Sequence, residues 1–200
     1  MKLPPKFYRR PDVVQIARDL LGKHIFSRVD GQLTGGRIVE TEAYSHVGDH
    51  SLTMHLQRRG THGRALAEPG GKAYLYKVYQ RHTLFNICTN AADAPDTVLL
   101  RAIEPLVGLE VMQERRGLAE VSPRLTAGPG LLTQALGITP SLTGTDLQSD
   151  LLWIEDQQEA ISDDQIRVST RVGLAYAGAE AASLPWRFRV LDSAWTSKAK

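Results

Sequence analysis

Two acids and an aromatic stand close together in the segment Arg37-Ile-Val-Glu-Thr-Glu-Ala-Tyr44. The segment reads as the end of a strand, and strand alternation puts Glu40, Glu42 and Tyr44 on one face. Like charges at close range tend to raise one carboxyl pKa, which suits general acid–base work. The alternative is a solvated polar face with Tyr44 at its rim. Arg101 interrupts the apolar run Thr97-Val-Leu-Leu-Arg-Ala-Ile-Glu-Pro105. Arginine is seldom buried without a partner, and a carboxylate, Glu42 or Glu40, is the obvious one. The alternative puts Arg101 on an edge strand facing water.

Residues 73–86 supply three tyrosines. Tyr74 and Tyr76 share a strand face, while Tyr79 points the other way or sits in a turn. Interleaved with Lys72, Lys77 and Arg81, such rings suit stacking on bases with cations near phosphates. Tyrosine is also simply a good strand former, and Tyr74 is a candidate for the core. His46, His50, His55 and His62 raise the question of a metal. His46 and His50 would share a helical face, but the segment does not read as helical and no further ligand completes a site, so no metal is expected. Cys88, between Ile87 and Thr89, reads as a small core residue rather than a nucleophile.

The elements that position these residues follow from periodicity and turn chemistry. Residues 11–22 read as a helix, with Pro11 and Asp12 in its first turn, Gly22 at its end, and Val13, Ile16, Ala17, Leu20 and Leu21 on one face. Residues 23–29 and 32–44 read as strands around Asp30-Gly31, a type I′ hairpin signal. Further strands are expected at 73–79, 84–89 and 97–103, and late strands at 151–155, 166–170 and 186–191. Helices are expected at 105–116 and 130–136. Residues 45–72 read as a long loop, and 139–150 and 156–165 as surface loops. The sum is a single α+β domain over residues 1–200, with an antiparallel sheet flanked by helices.

Composition bounds the rest. Hydrophobic residues make up 42% and charged residues 23%, which excludes wholesale disorder. Cys88 is the only cysteine, which excludes an internal disulfide and fits a reducing cytosol. Residues 1–10 are basic, but no apolar stretch follows, so no signal peptide is expected, and no run is long enough to span a membrane. Residues 1–101 carry 15 Lys+Arg against 9 Asp+Glu, a net of +6; residues 102–200 carry 9 against 13, a net of −4. A basic half can face a polyanion while the acidic half faces away, although the same split occurs in a dipole with no partner.

Taken together, these segments resemble the alkyladenine (3-methyladenine) DNA glycosylase family. The match runs in order through ARDLLG, GRIVETEAY, PGGKAYLYKVY, LFNI, VLLRAIEPLVGLEVM, GPGLLTQALGI, TRVGLAYAG and PWRFRV, nearly the whole chain. The resemblance implies a curved antiparallel sheet and a DNA-repair N-glycosylase that flips alkylated or deaminated purines out of double-stranded DNA and hydrolyses them off, leaving an abasic site. It implies no cofactor. Glu42 corresponds to the general base that activates water, and Arg101 to the arginine that helps hold that water and Glu42. Tyr44 and Tyr76 correspond to walls that sandwich the flipped base, Tyr79 to the residue inserted into the duplex, and Asn86 to the side chain that clashes with the 2-amino group of normal guanine. A monomer is the simplest expectation for an enzyme pressing one face on DNA.

The match departs from the family at several positions. The pocket histidine of the family falls at Thr53 here, with His50 and His55 nearby but unaligned. The Gly-Met that usually follows the inserted tyrosine is Gln80-Arg81, and a lysine of the family's Gly-Pro-x-Lys-Leu motif is Leu131. These changes bear on base selectivity and on contacts to the DNA backbone. The alternative reading is a non-catalytic protein that binds lesions or DNA shape through a degenerate pocket. Reuse of the fold for RNA or nucleotides is a third.

Overall fold

The computed structural model describes residues 1–198, apart from the side chains of residues 61–64. In chain order the helices are α1 (Pro5–Tyr8), α2 (Val13–Asp19), α3 (His50–Arg59), α4 (Leu109–Arg116), α5 (Pro129–Ala135) and α6 (Ala179–Ser183). The strands are β1 (His24–Val29), β2 (Gln32–Tyr44), β3 (Ala73–Val78), β4 (His82–Thr89), β5 (Asp96–Val107), β6 (Leu152–Glu155), β7 (Ile166–Ser169) and β8 (Arg187–Val190). They form one antiparallel sheet, a curled half-barrel in the order β3-β4-β5-β2-β1-β6, with β8 against β2 and β7 against β8. The expected mixed α+β architecture is therefore the observed one.

Local chemistry explains the main turns. Asp30 and Gly31 have φ of 53° and 73°, as a type I′ hairpin between β1 and β2 requires. Asp12 caps α2, its carboxylate accepting the Gln15 N–H at 2.9 Å. Val13, Ile16 and Ala17 of α2 are buried, and the Thr41 hydroxyl donates to the Ala17 carbonyl at 2.8 Å, tying the helix to β2. The 13-residue β2 is paired along one flank first by β1 and then by β8, and along the other by β5.

Two boundaries differ from expectation. Residues 105–107 continue β5 instead of opening a helix, and α4 starts only at Leu109. Pro105 is tolerated because it sits at a register shift opposite Gly36. The approach there is close: a Cβ on Gly36 would lie 2.2 Å from the Glu104 carbonyl oxygen, so only glycine fits. Residues 45–72 are not one long loop. Asp49 caps α3 by accepting the Ser51 N–H at 3.1 Å, and a 3₁₀ segment runs from Gly60 to Ala67. Among the described residues no helix is long and apolar enough to cross a membrane.

Alternation divides the sheet's side chains between two environments. Ile38, Ala43, Leu75, Phe85, Ile87, Val98, Leu100 and Ile103 join α2, α4 and α5 in the large apolar core. On the opposite face, Leu52, Leu66, Tyr74 and Cys88 form a small cluster beneath α3. Tyr44 and Tyr76 pack at its edge.

Candidate active site

The site is built on an irregularity in the sheet. Glu40 pairs with Ala102 and Thr41 with Leu100, so Arg101 is the extra residue of a β-bulge on β5. Bulges bend a strand and re-aim side chains, and they recur next to active sites. Here the bulge brings Arg101 between two carboxylates of β2. Its Nε donates to Glu40 Oε1 at 2.8 Å, and its Nη1 forms an ion pair with Glu42 Oε1 at 3.2 Å. Both carboxylates expected as partners of Arg101 are thus engaged, and Arg101 does not lie on a water-facing edge, being only 5% exposed.

Glu40 and Glu42 are both fully buried, yet their surroundings differ. Glu40 Oε1 accepts from Arg101 Nε, Arg187 Nε and the Ser197 hydroxyl at 2.8, 2.8 and 2.9 Å. Its Oε2 accepts the Ser197 N–H at 2.6 Å. An ionised carboxylate offers about four acceptor positions, and the donors to Glu40 crowd on Oε1. Burial opposes its charge, but Arg101, the Ser197 N–H and Arg187 outweigh that penalty and hold its carboxyl below the ordinary value. The expectation that crowding of like charges would raise one carboxyl therefore does not hold for Glu40, because guanidinium groups stand beside it. Glu42 Oε1 accepts the Val172 N–H at 2.8 Å and faces Arg101, while Oε2 accepts the Tyr44 hydroxyl at 2.8 Å. One acceptor position of Glu42 is left without a donor among the described residues.

In front of this pair lies a cleft of about 510 Å³ lined by Tyr44, Tyr76, Leu99, Arg101, Val172 and Tyr176, among others. Its volume lies within the range of small-ligand pockets, roughly 300–1,000 Å³. Burial, then the Glu42 charge, keeps the Tyr44 hydroxyl protonated and donating. The Tyr44 ring is held from outside by Arg171, whose guanidinium carbon lies 4.4 Å from the ring centre. Arg171 in turn makes paired bonds to Asp49 at 2.5 and 3.0 Å and donates to the Ala43 carbonyl at 2.8 Å. The N-cap of α3 is therefore locked to the end of β2 by a fully buried ion pair.

The remaining expected residues fall at distinct places. Tyr79 sits at the tip of the β3–β4 turn, 89% exposed, with φ of 52°. A left-handed backbone is uncommon for a tyrosine and marks a tip whose shape is imposed by the turn. Asn86 is buried on β4, and its amide donates to the Tyr74 carbonyl at 3.4 Å. It pairs across the ladder with Leu99, which lines the cleft. Thr53 is exposed on α3 and makes no wall. His55 instead packs its ring 4.6 Å from that of Tyr76, and its Nε2 lies 2.9 Å from the Tyr74 hydroxyl. Burial, then Arg59 and Arg58, lowers His55 to about 4, so it is neutral near pH 7. Leu131 lines the cleft, and Lys72 pairs with Glu68 at 3.0 Å.

His46 pairs with Asp96 at 2.6 Å, His50 is exposed, and the side chain of His62 lies outside the described residues. Among the described residues no three or more His, Cys, Asp or Glu gather as a metal site would need. Sequence reasoning did not single out Arg171, Val172, Tyr176 or Arg187, although all four lie in the TRVGLAYAG and PWRFRV segments. Ser197 had no local signal at all.

Comparison with known proteins identifies the family. The family model of methylpurine-DNA glycosylase matches residues 6–194. A protein of Methanoculleus marisnigri named "Putative 3-methyladenine DNA glycosylase" is 42% identical over 99% of this chain and 100% of its own length. A protein of the same name from Chlorobaculum parvum is 42% identical over 93% of this chain and 86% of its length. One from Bacillus thuringiensis is 36% identical over 99% and 100%. The chain belongs to the methylpurine-DNA glycosylase family.

Proposed function

We propose that this DNA glycosylase acts on duplex DNA as a monomer, takes 3-methyladenine, 7-methylguanine and hypoxanthine type bases into the cleft, and uses Glu42 to activate the attacking water. The observation that carries this reading is the pairing of Glu42 with Arg101, 3.2 Å apart, behind a cleft walled by Tyr44 and Tyr76.

The chemistry follows from the surroundings of each group. A base stacked in a duplex hides its glycosidic bond, so it must be extruded at a cost of a few kcal/mol, least for damaged or mispaired bases. Tyr79, standing free of the surface, is suited to fill the gap left in the stack, as wedge residues do in other DNA-bending proteins. Alkylation at N3 or N7 makes the purine cationic. A cation against an electron-rich ring gains about 0.5–2 kcal/mol per contact, which favours Tyr44 and Tyr76 as walls. Asn86, one rung from the cleft, serves as the guard against the guanine 2-amino group.

The positive charge also makes the purine a better leaving group. As the bond to deoxyribose stretches, the sugar gains oxocarbenium character, and the Glu42 carboxylate stabilises it. The open acceptor position on Glu42 takes a proton from water, whose oxygen adds to the sugar. The products are the free base and an abasic site. Strand cleavage is not expected, since that step normally needs an amine nucleophile and neither Lys72 nor Lys77 lines the cleft.

The test is a base-release assay on duplexes carrying 3-methyladenine, 7-methylguanine, hypoxanthine or ethenoadenine, with chromatography of the freed base. Release of the first three, abolished by Glu42→Gln with lesion binding kept, is the expected result. Salt-sensitive binding with no free base from any duplex would sink the catalytic reading and favour a lesion-binding protein.

A further inference from the structure

The two carboxylates on β2 differ in a way that assigns the second one a task. Glu42 is bonded to two cleft-lining residues besides Arg101, accepting from the Tyr44 hydroxyl and the Val172 N–H, whereas Glu40 accepts from Arg101, Arg187 and Ser197. Of the donors to Glu40, only Arg101 lines the cleft. Glu40 decides how Arg101 is shared. A guanidinium and a carboxylate left alone in a buried site frequently form two parallel bonds. Such a fork on Glu42 would fill the acceptor position that water needs. Glu40 draws away the Arg101 Nε, so that Glu42 receives a single Nη1 contact at 3.2 Å.

Resting on the catalytic reading of Glu42, we infer that Glu40 is a positioning residue that rations Arg101, and that Ser197 holds Glu40 in this role. Ser197 supplies two bonds to Glu40, one from its N–H and one from its hydroxyl. Its hydroxyl also lies 3.5 Å from Arg101 Nη2 and 3.3 Å from Arg187 Nη2. The segment 191–198 thus reaches back from β8 and closes the rear of the ion-pair cluster.

The experiment measures single-turnover base release and, separately, affinity for a duplex carrying an uncleavable abasic analogue. Glu40→Gln is expected to slow release by about 100-fold, as small misplacements of catalytic groups do, with analogue affinity unchanged. Ser197→Ala is expected to slow it less, and Ser197→Thr, which keeps both donors, to restore most of the rate. If Glu40→Gln does not fold, the two Ser197 variants decide the matter. Unchanged rates in Glu40→Gln or Ser197→Ala, with wild type active, would overturn the positioning role alone. A parallel loss of rate, affinity and thermal stability would overturn it too, by showing a purely structural part. A wild-type protein that frees no base would overturn the functional reading, and this inference with it.

Discussion

The two faces of the central sheet are made from alternate residues of the same strands, yet they are opposite kinds of environment. One buries Phe85, Ile87, Val98, Leu100 and Ile103 in a continuous apolar core. The other buries Glu40, Glu42, Arg101 and Arg187, with Tyr44 and Tyr76 at the border. Apolar burial is non-directional and contributes about 25 cal/mol per Å². Buried ion pairs contribute little net stability, but breaking one is costly because it strands a charge. The first face therefore holds the sheet together, and the second relies on that support to keep charges where water alone would disperse them.

Substitutions on either face test this contrast. The largest effect is expected for Glu42→Gln, a loss of about 10²–10⁴-fold in single-turnover base release. Phe85→Ala on the other face should cost roughly 3–5 kcal/mol of stability in urea unfolding, with the rate per folded molecule nearly unchanged. If Phe85→Ala instead slowed release strongly in fully folded protein, the faces would not be separable. Asp49→Ala should cost about 3–5 kcal/mol as well, because Arg171 is left buried without its partner. It should also weaken lesion binding, since Arg171 supports the Tyr44 ring. Tyr79→Ala should alter stability by no more than about 0.5 kcal/mol while weakening capture of the lesion duplex, measured by fluorescence anisotropy.

The smallest effect concerns pH. His55 is lowered to about 4 in the folded chain from an ordinary 6.5, so the unfolded chain takes up its proton first as pH falls. Its contribution to stability is complete above pH 6.5 and is lost between 6.5 and 4. Unfolding of wild type and His55→Gln at pH 7.5 and 5 should show a shallower fall in the variant. Equal falls would remove His55 from the account.

What could be read from the chain follows the range of each interaction. Hairpin β1–β2 was legible because its turn signal, Asp30-Gly31, and its alternation are local. The need of Arg101 for a carboxylate was legible because a charge in an apolar strand is a local anomaly. Helix α3 was not, because Leu52 and Leu56 are its main apolar positions, and its cap, Asp49, is fixed by Arg171, 122 residues away. Pro105 misled at the other end, since only the register shift opposite Gly36 makes room for it in β5. Ser197 lies 157 residues from Glu40, and nothing near either residue announces the pairing.

That separation has a consequence for synthesis. The ribosome delivers Glu40 157 residues before Ser197, an interval of about 8–30 seconds at ~5–20 residues per second. Throughout it, a nascent chain carries the β2 acids without the two donors that Ser197 later gives Glu40. Chains stalled before residue 187, which lack β8 and both Ser197 donors, are expected to free base more slowly than the full chain.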